Sequence, residues 1–270
     1  FFVGKNILGQ SSIMPGRLGG FTGQESVIGH FFFGFCLIFL SYLKKILKRT
    51  DLNIFIALTL IIFSFIIGER SNFIKTFIAI TLFIFIVYEV NYKVKILTFF
   101  IILATSYTVF LNLDSGYKQR YFNQLKLIFT SNGISQYLDN SKYGAHRNVA
   151  KEIFFDNPIF GVGIKNFRVE SANKIYNDLE HTKNHLRVSN HPHELYYEFL
   201  SETGIFGLIS FLIFIFISII SSIKNFLQDK NIYQLSAIIF VLVSILPVIP
   251  TGSFLSSYSS SIFWINYALM

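Results

Sequence analysis

Long apolar runs nearly free of charge govern what this chain can fold into. They cover Val27 to Leu43, Leu52 to Gly68, Phe73 to Val90, Val94 to Leu113, Gly204 to Ser222 and Ile232 to Ile249, with a further run from Phe254 to Met270. Each is about the 17 to 20 residues that an α-helix needs to cross a hydrocarbon core. Their Ile, Phe, Leu and Val residues lack the two-residue alternation of barrel strands, so helices are the spanning solution that satisfies the backbone from within. Composition agrees: 52% of the 270 residues are hydrophobic, 33 are Phe, and 14% are charged, too apolar for an ordinary soluble domain. The expected fold class is an all-α integral membrane protein, a multi-span helical bundle.

Charge sets the expected orientation. Lys44, Lys45, Lys48 and Arg49 follow the first run, Lys93 and Lys95 the third, and Lys224 and Lys230 the fifth. The positive-inside rule puts those short loops in the cytoplasm. Alternation then puts the segment through Gln24, the Gly68-Glu69-Arg70-Ser71 turn, the long polar stretch Asp114 to Thr203 and the Thr251 to Ser253 turn on the outer side. The polar stretch carries 11 Lys and Arg against 10 Asp and Glu, so it is almost neutral. Long loops also cross largely regardless of charge. The net charge of +8 does not point to nucleic acid, because no basic cluster interleaved with exposed aromatics occurs on a soluble region.

The linear scheme is a membrane region over residues 1–113, an extracytoplasmic loop over 114–203, and a C-terminal membrane region over 204–270. Within the loop, Tyr121 to Phe129 and Asn148 to Phe155 have helical apolar spacing, whereas Asn157-Pro158 and Gly161-Val162-Gly163 mark turns. The single cysteine, Cys36, lies in an apolar run and allows no internal disulfide. The chain opens at Phe1 without a basic n-region and stops at Met270 inside an apolar run, so it is expected to be an internal or C-terminal fragment.

Titratable groups gather where the loop meets the bilayer. His191-Pro192-His193-Glu194 is followed by nine residues and then Gly204-Ile205-Phe206-Gly207, which opens an apolar run. Protonatable side chains at the lip of a span suggest chemistry on a lipid-borne substrate. His181 and His185, four residues apart, with His191 and His193 raise a zinc alternative. Against it, Asn177 to Asn190 is too polar for a helix, and no Cys ligand or His-Glu-x-x-His arrangement is present.

Several segments together resemble the O-antigen ligase and O-antigen polymerase superfamily. Arg17-Leu18-Gly19-Gly20-Phe21-Thr22-Gly23 is similar to its arginine- and glycine-rich segment before a span, and Gly68-Glu69-Arg70-Ser71 to its arginine-bearing turn. His146-Arg147 and Asn157-Pro158-Ile159-Phe160-Gly161-Val162-Gly163 resemble its large loop. His193 with Gly204 and Gly207 matches the ligase histidine-glycine spacing, the most specific element. Glu194 departs from the Asn, Ser or Gln usual after that histidine.

The resemblance implies a fold like the C-type membrane glycosyltransferases, in the bacterial inner membrane, with the active site facing the periplasm. It implies an inverting transfer of a glycan from an undecaprenyl diphosphate carrier to a lipid A-core or growing saccharide acceptor, without metal or cofactor. His193 would be the base that activates the acceptor hydroxyl, with Glu194 as the alternative base. Arg70 would clamp the diphosphate through paired, charge-assisted hydrogen bonds, with Arg17 and Arg147 as further candidates. Glu202 would cap or position the helix entry, Tyr196 and Tyr197 would form an interfacial aromatic belt, and Gly204 and Gly207 would serve close packing. The competing reading for Arg70 is an ion pair with Glu69 or a snorkelling anchor at the membrane interface. A polysaccharide polymerase is the alternative within the resemblance, and a membrane transporter is the alternative of a different class.

The orientation is directly testable. Cysteines introduced at Lys45 and Lys224 should resist an impermeant thiol reagent applied from outside intact cells, and one at Ser189 should react.

Overall fold

The computed structural model describes residues 16–19, 27–89, 91–111, 133–247 and 249–270, together with Gly9, Lys118 and Tyr121. The described residues are helical, without a strand. The helices are α1 (Ile28–Ile46), α2 (Thr50–Ile67), α3 (Arg70–Val87), α4 (Tyr92–Leu111), α5 (Gly133–Asn140), α6 (Lys142–Asp156), the single turn α7 (Phe167–Glu170), α8 (Leu195–Asp229), α9 (Ile232–Ser244) and α10 (Ser257–Leu269). By length and composition α1, α2, α3 and α8 can each cross a membrane. α4, 20 residues long, occupies the fourth expected span. The chain is a helical integral membrane protein.

Two expected spans are shorter as helices. α9 and α10 are 13 residues each, about 20 Å at 1.5 Å per residue, against a core of about 30 Å. Pro247 and Pro250 explain the first: neither has an N–H to continue the ladder, and each biases the preceding residue away from helix. The expected Tyr121 to Phe129 helix falls almost wholly outside the described residues.

The chain divides into two compact units. The first comprises Phe1–Phe122, Ser222–Ser244 and Ile262–Met270, and the second Asn123–Ser221 and Ile245–Ser261.

In the first unit α1, α2, α3 and α9 pack on one another, and α4 lies against α2 and α3. The core is apolar and close-fitting: Phe33 stacks on Phe240 at 4.7 Å, and Leu37, Leu40, Ile61, Ala79, Ile80 and Phe83 are fully enclosed. Small residues allow the closest approaches. A Cβ at Gly34 would strike the Ile262 side chain, and the Gly34 carbonyl accepts the Asn266 side-chain N–H at 3.0 Å. The α2 to α3 turn depends on Gly68, left-handed at φ 80, where a side chain would run into the Gly16 carbonyl. The Leu18 N–H gives a bond of 3.0 Å to the Ile67 carbonyl, so the segment carrying Arg17 is docked onto that turn.

In the second unit α6 builds a separate small core. Ser141 caps it by accepting the Gly144 N–H at 3.0 Å, and Val149, Ala150 and Ile153 pack with Phe167 and Tyr176. The sequence pattern Asn148 to Phe155 thus belongs to a helix with one buried face.

Gly68→Ala should destabilise the purified protein by more than about 1 kcal/mol, since both the backbone angle and the space are denied. Gly34→Ala, which a rotation of Ile262 can accommodate, should lower the melting temperature in detergent less.

Candidate active site

The polar end of α8 explains how the site is assembled. This helix begins at Leu195, before the glycine expected to open it, and is broken at Gly204, whose backbone is far from helical at φ 66, ψ −168. Glu194 explains the earlier start: its Oε2 accepts the Tyr197 N–H at 2.9 Å and caps the helix. The break at Gly204 separates the Ser201 and Glu202 carbonyls from the Ile205 and Phe206 N–H groups that would pair with them in a regular helix. The Pro158 to Gly163 turn replaces both sides of that exchange. Val162 and Gly163 donate to the Ser201 and Glu202 carbonyls at 3.0 and 2.9 Å, and Ile205 and Phe206 donate to the Pro158 and Ile159 carbonyls at 2.9 and 3.5 Å.

Glycine is required on both sides. A Cβ at Gly161 would enter the Glu202 backbone, and one at Gly204 would enter the Ile159 carbonyl. The Glu202 carboxylate adds two anchors, accepting the Lys165 N–H at 2.6 Å and the Phe167 N–H at 3.3 Å. Gly204 therefore serves close packing, as its position in the sequence suggests, and it also breaks the helix. A Cβ at Gly207 would first meet the Thr203 side chain of its own helix.

Just ahead of α8, His193 has a left-handed backbone at φ 61, a costly conformation for a non-glycine residue. Its carbonyl accepts the Thr251 N–H at 2.8 Å. The turn supplying that donor is held in place by Glu198, an almost wholly enclosed carboxylate that accepts the Ser253 hydroxyl and, at 2.8 Å, the Phe254 N–H. Tyr196 ties the same stretch by donating its hydroxyl to the Ile245 carbonyl at 2.6 Å.

Three imidazoles meet here. The His193 ring lies 4.0 Å from that of His191 and 5.2 Å from that of His146, nearly parallel to the latter at 21°, and Tyr143 approaches its edge at 5.1 Å. His146 comes from α6, on the same face as Val149, Ala150 and Ile153. Its Nε2 pairs with the Leu186 carbonyl at 2.9 Å, so that nitrogen carries the proton and Nδ1 presents a lone pair. Arg147, next along α6, places its guanidinium 4.9 Å over the Tyr197 ring.

Burial dominates the electrostatics. The His193 imidazole is pushed down from 6.5 to about 3, first by burial and then by His191, His146 and Lys142. His146 is lowered from 6.5 to about 4, again first by burial, although the Leu186 carbonyl acts the other way. His191 is also lowered by burial. All three rings are neutral at physiological pH, and an approaching anion would favour their charged forms.

Of the residues singled out in the sequence, His193, Glu194 and Arg147 lie together in the second unit, joined through Tyr197. Arg17 and Arg70 lie in the first unit, around Glu69. Glu69, at the N-terminus of α3, accepts the Gly29 N–H at 2.9 Å and the Asn72 side-chain N–H at 2.7 Å, and its Oε2 is 3.5 Å from Arg17 Nη2. Arg17 thus pairs with Glu69 across the turn. His181 plays a structural part, its Nε2 pairing with the Leu138 carbonyl at 2.9 Å and its Nδ1 accepting the Lys183 N–H at 3.0 Å. His185 lies in a short 3-10 turn, Asn184–Leu186, so the two histidines share no α-helical face. Among the described residues, no group of three or more His, Cys, Asp or Glu is arranged to hold a metal ion.

Sequence reading did not assign His146, Tyr143, Glu69 or Glu198 to the site. For His146 the signal was available: with Val149, Ala150 and Ile153 it forms the i, i+3, i+4, i+7 stripe of a buried helix face.

An all-helical membrane protein whose polar loop delivers buried imidazoles to the entrance of a broken membrane helix fits the class of membrane enzymes that process glycans. A family model described as O-antigen ligase matches residues 55–212, more than half of the 270, and the chain belongs to that family. The match takes in Arg70, Arg147, His193, Glu194 and both glycines of the α8 motif, and leaves Arg17 outside. No curated protein matches the chain. Family membership makes it a glycan-processing, transferase-type membrane enzyme.

The depressed histidines carry a definite pH signature. The unfolded chain takes up protons near pH 6.5, while the folded one resists until about 4 and about 3. This stabilisation is complete above about 6.5 and is lost as pH falls through that window. The melting temperature in detergent should fall from pH 7.5 to pH 5, and less steeply in a His146→Gln, His193→Gln double variant.

Proposed function

We propose that the protein transfers a glycan from an undecaprenyl diphosphate carrier to a lipid A-core or growing saccharide acceptor at the periplasmic face of the bacterial inner membrane. The observation that carries this reading is His193, a neutral imidazole held by its backbone and its neighbours at the entrance of the broken α8 helix.

In the proposed reaction His193 accepts the proton of an acceptor sugar hydroxyl. The freed oxygen attacks the anomeric carbon of the donor, the bond from that carbon to the diphosphate breaks, and the carrier diphosphate leaves with the electron pair. A single displacement inverts the anomeric centre. With its acidity shifted to about 3, His193 alone is a weak base. The negative charge of the bound donor offsets this by stabilising the imidazolium, which ties proton transfer to donor occupancy. Arg70, with Arg17 and Arg147, is proposed to bind diphosphate oxygens and to neutralise the charge that grows on the leaving group. For Glu194, the bond to the Tyr197 N–H favours a capping role over that of base. The spacing of His193 to Gly204 and Gly207 favours ligase over polymerase.

Reconstitution with a lipid diphosphate-linked glycan and, separately, lipid A-core or saccharide acceptors tests the reading. His193→Ala should lower kcat by about 10²- to 10⁴-fold. Arg70→Ala should act chiefly on the donor KM, and Glu194→Gln should retain most activity. Unchanged turnover in His193→Ala and Arg70→Ala would reject the site, and translocation of the donor without glycosyl transfer would reject the class.

A further inference from the structure

The turn that repairs the α8 break also carries a feature that glycan transfer leaves unexplained. Phe155, Ile159, Phe160 and Ile164 all have strongly exposed side chains, Phe160 at 75%. A hydrophilic loop has no reason to leave four large apolar residues open within ten positions unless another surface covers them.

Their location indicates what that surface is. The Pro158 to Gly163 backbone is hydrogen-bonded to residues 201 to 206 of α8, so the turn sits at the level where that helix becomes continuously apolar. Phe160 stacks on Phe206 at 5.8 Å and 19°, and Phe206 is itself 60% exposed. Ile209, Ile213, Phe216 and Ile217 carry the exposed apolar surface further along α8, a helix long and apolar enough to cross a membrane. The apolar turn is thus continuous with a lipid-facing helix surface.

Backbone chemistry permits that depth. A broken helix and an irregular turn are tolerated among lipids only where their polar groups are paired within the protein. Here the Ser201 and Glu202 carbonyls, the Ile205 and Phe206 N–H groups and the Val162 and Gly163 N–H groups are all so paired. Lys165 ends the apolar stretch with an exposed side chain long enough to reach phospholipid headgroups from its edge.

We propose that the Phe155 to Ile164 segment is an interfacial anchor whose Ile159, Phe160 and Ile164 side chains insert among the phospholipid chains of the leaflet next to the loop. It would hold the end of α8 at a fixed depth, and with it His193, whether or not the transferase reading stands.

The test places a bimane fluorophore on Phe160→Cys in a Cys36→Ala background, with the protein reconstituted in phosphatidylcholine nanodiscs. Ile164→Cys serves as a second probe position and Lys174→Cys as the exposed polar comparison. The probes at 160 and 164 should lose most of their emission to phosphatidylcholine bearing a nitroxide high on its acyl chain and resist aqueous iodide, and the probe at 174 should do the reverse. Iodide quenching at 160 or 164 equal to that at 174, with lipid nitroxide ineffective, would overturn the anchor. Because the readout is optical, an inactive transferase with lipid-quenched probes would reject the reaction and retain the anchor.

Discussion

The exchange of backbone hydrogen bonds at Gly204 is the interaction on which the second unit depends. The break leaves two carbonyls and two amides without their helical partners. The Pro158 to Gly163 turn makes the matching bonds, and Gly161 and Gly204 let the two backbones approach without side chains between them. Glu202 reinforces the join through the Lys165 and Phe167 amides. The loop core of α6, Phe167 and Tyr176 is thereby attached to the membrane helix by main-chain bonds, which hold position more firmly than side-chain packing alone.

That attachment makes a concentrated imidazole cluster possible. Burial disfavours the charged form of all three histidines, and the neighbouring imidazoles add to this at His193, so the cluster favours neutral rings. His193 also carries backbone strain. It is restrained from several directions: the Thr251 amide on its carbonyl, the capped start of α8 immediately after it, and the rings of His146, His191 and Tyr143 around it. Glu198 contributes from outside the cluster by fixing the turn that presents Thr251. In the proposed reaction, an imidazole so restrained would lose little freedom on substrate binding.

In the first unit the same use of small residues and buried acceptors organises the arginine turn. Gly68 admits the Gly16 backbone, Gly29 admits the Glu69 carboxylate, and Glu69 orders Arg17. Arg17 reaches Glu69 from a separate segment of the chain, docked by the Leu18 to Ile67 bond.

Hydrophobic run length determined, without coordinates, that this is a helical membrane protein, because bilayer thickness and backbone satisfaction leave few alternatives for such runs, and the order of short motifs carried the resemblance to the O-antigen ligase family. The same motifs supplied His193, Glu194, Arg70, Arg17 and Arg147 as candidates. Tertiary structure alone decided that α8 starts at Leu195 and breaks at Gly204, that α9 and α10 are short, that Glu69 turns to Arg17, and that His146 stacks on His193. Each of these depends on partners tens of residues away along the chain, and a local pattern carries no information about which distant amide or ring will fill a vacant bond.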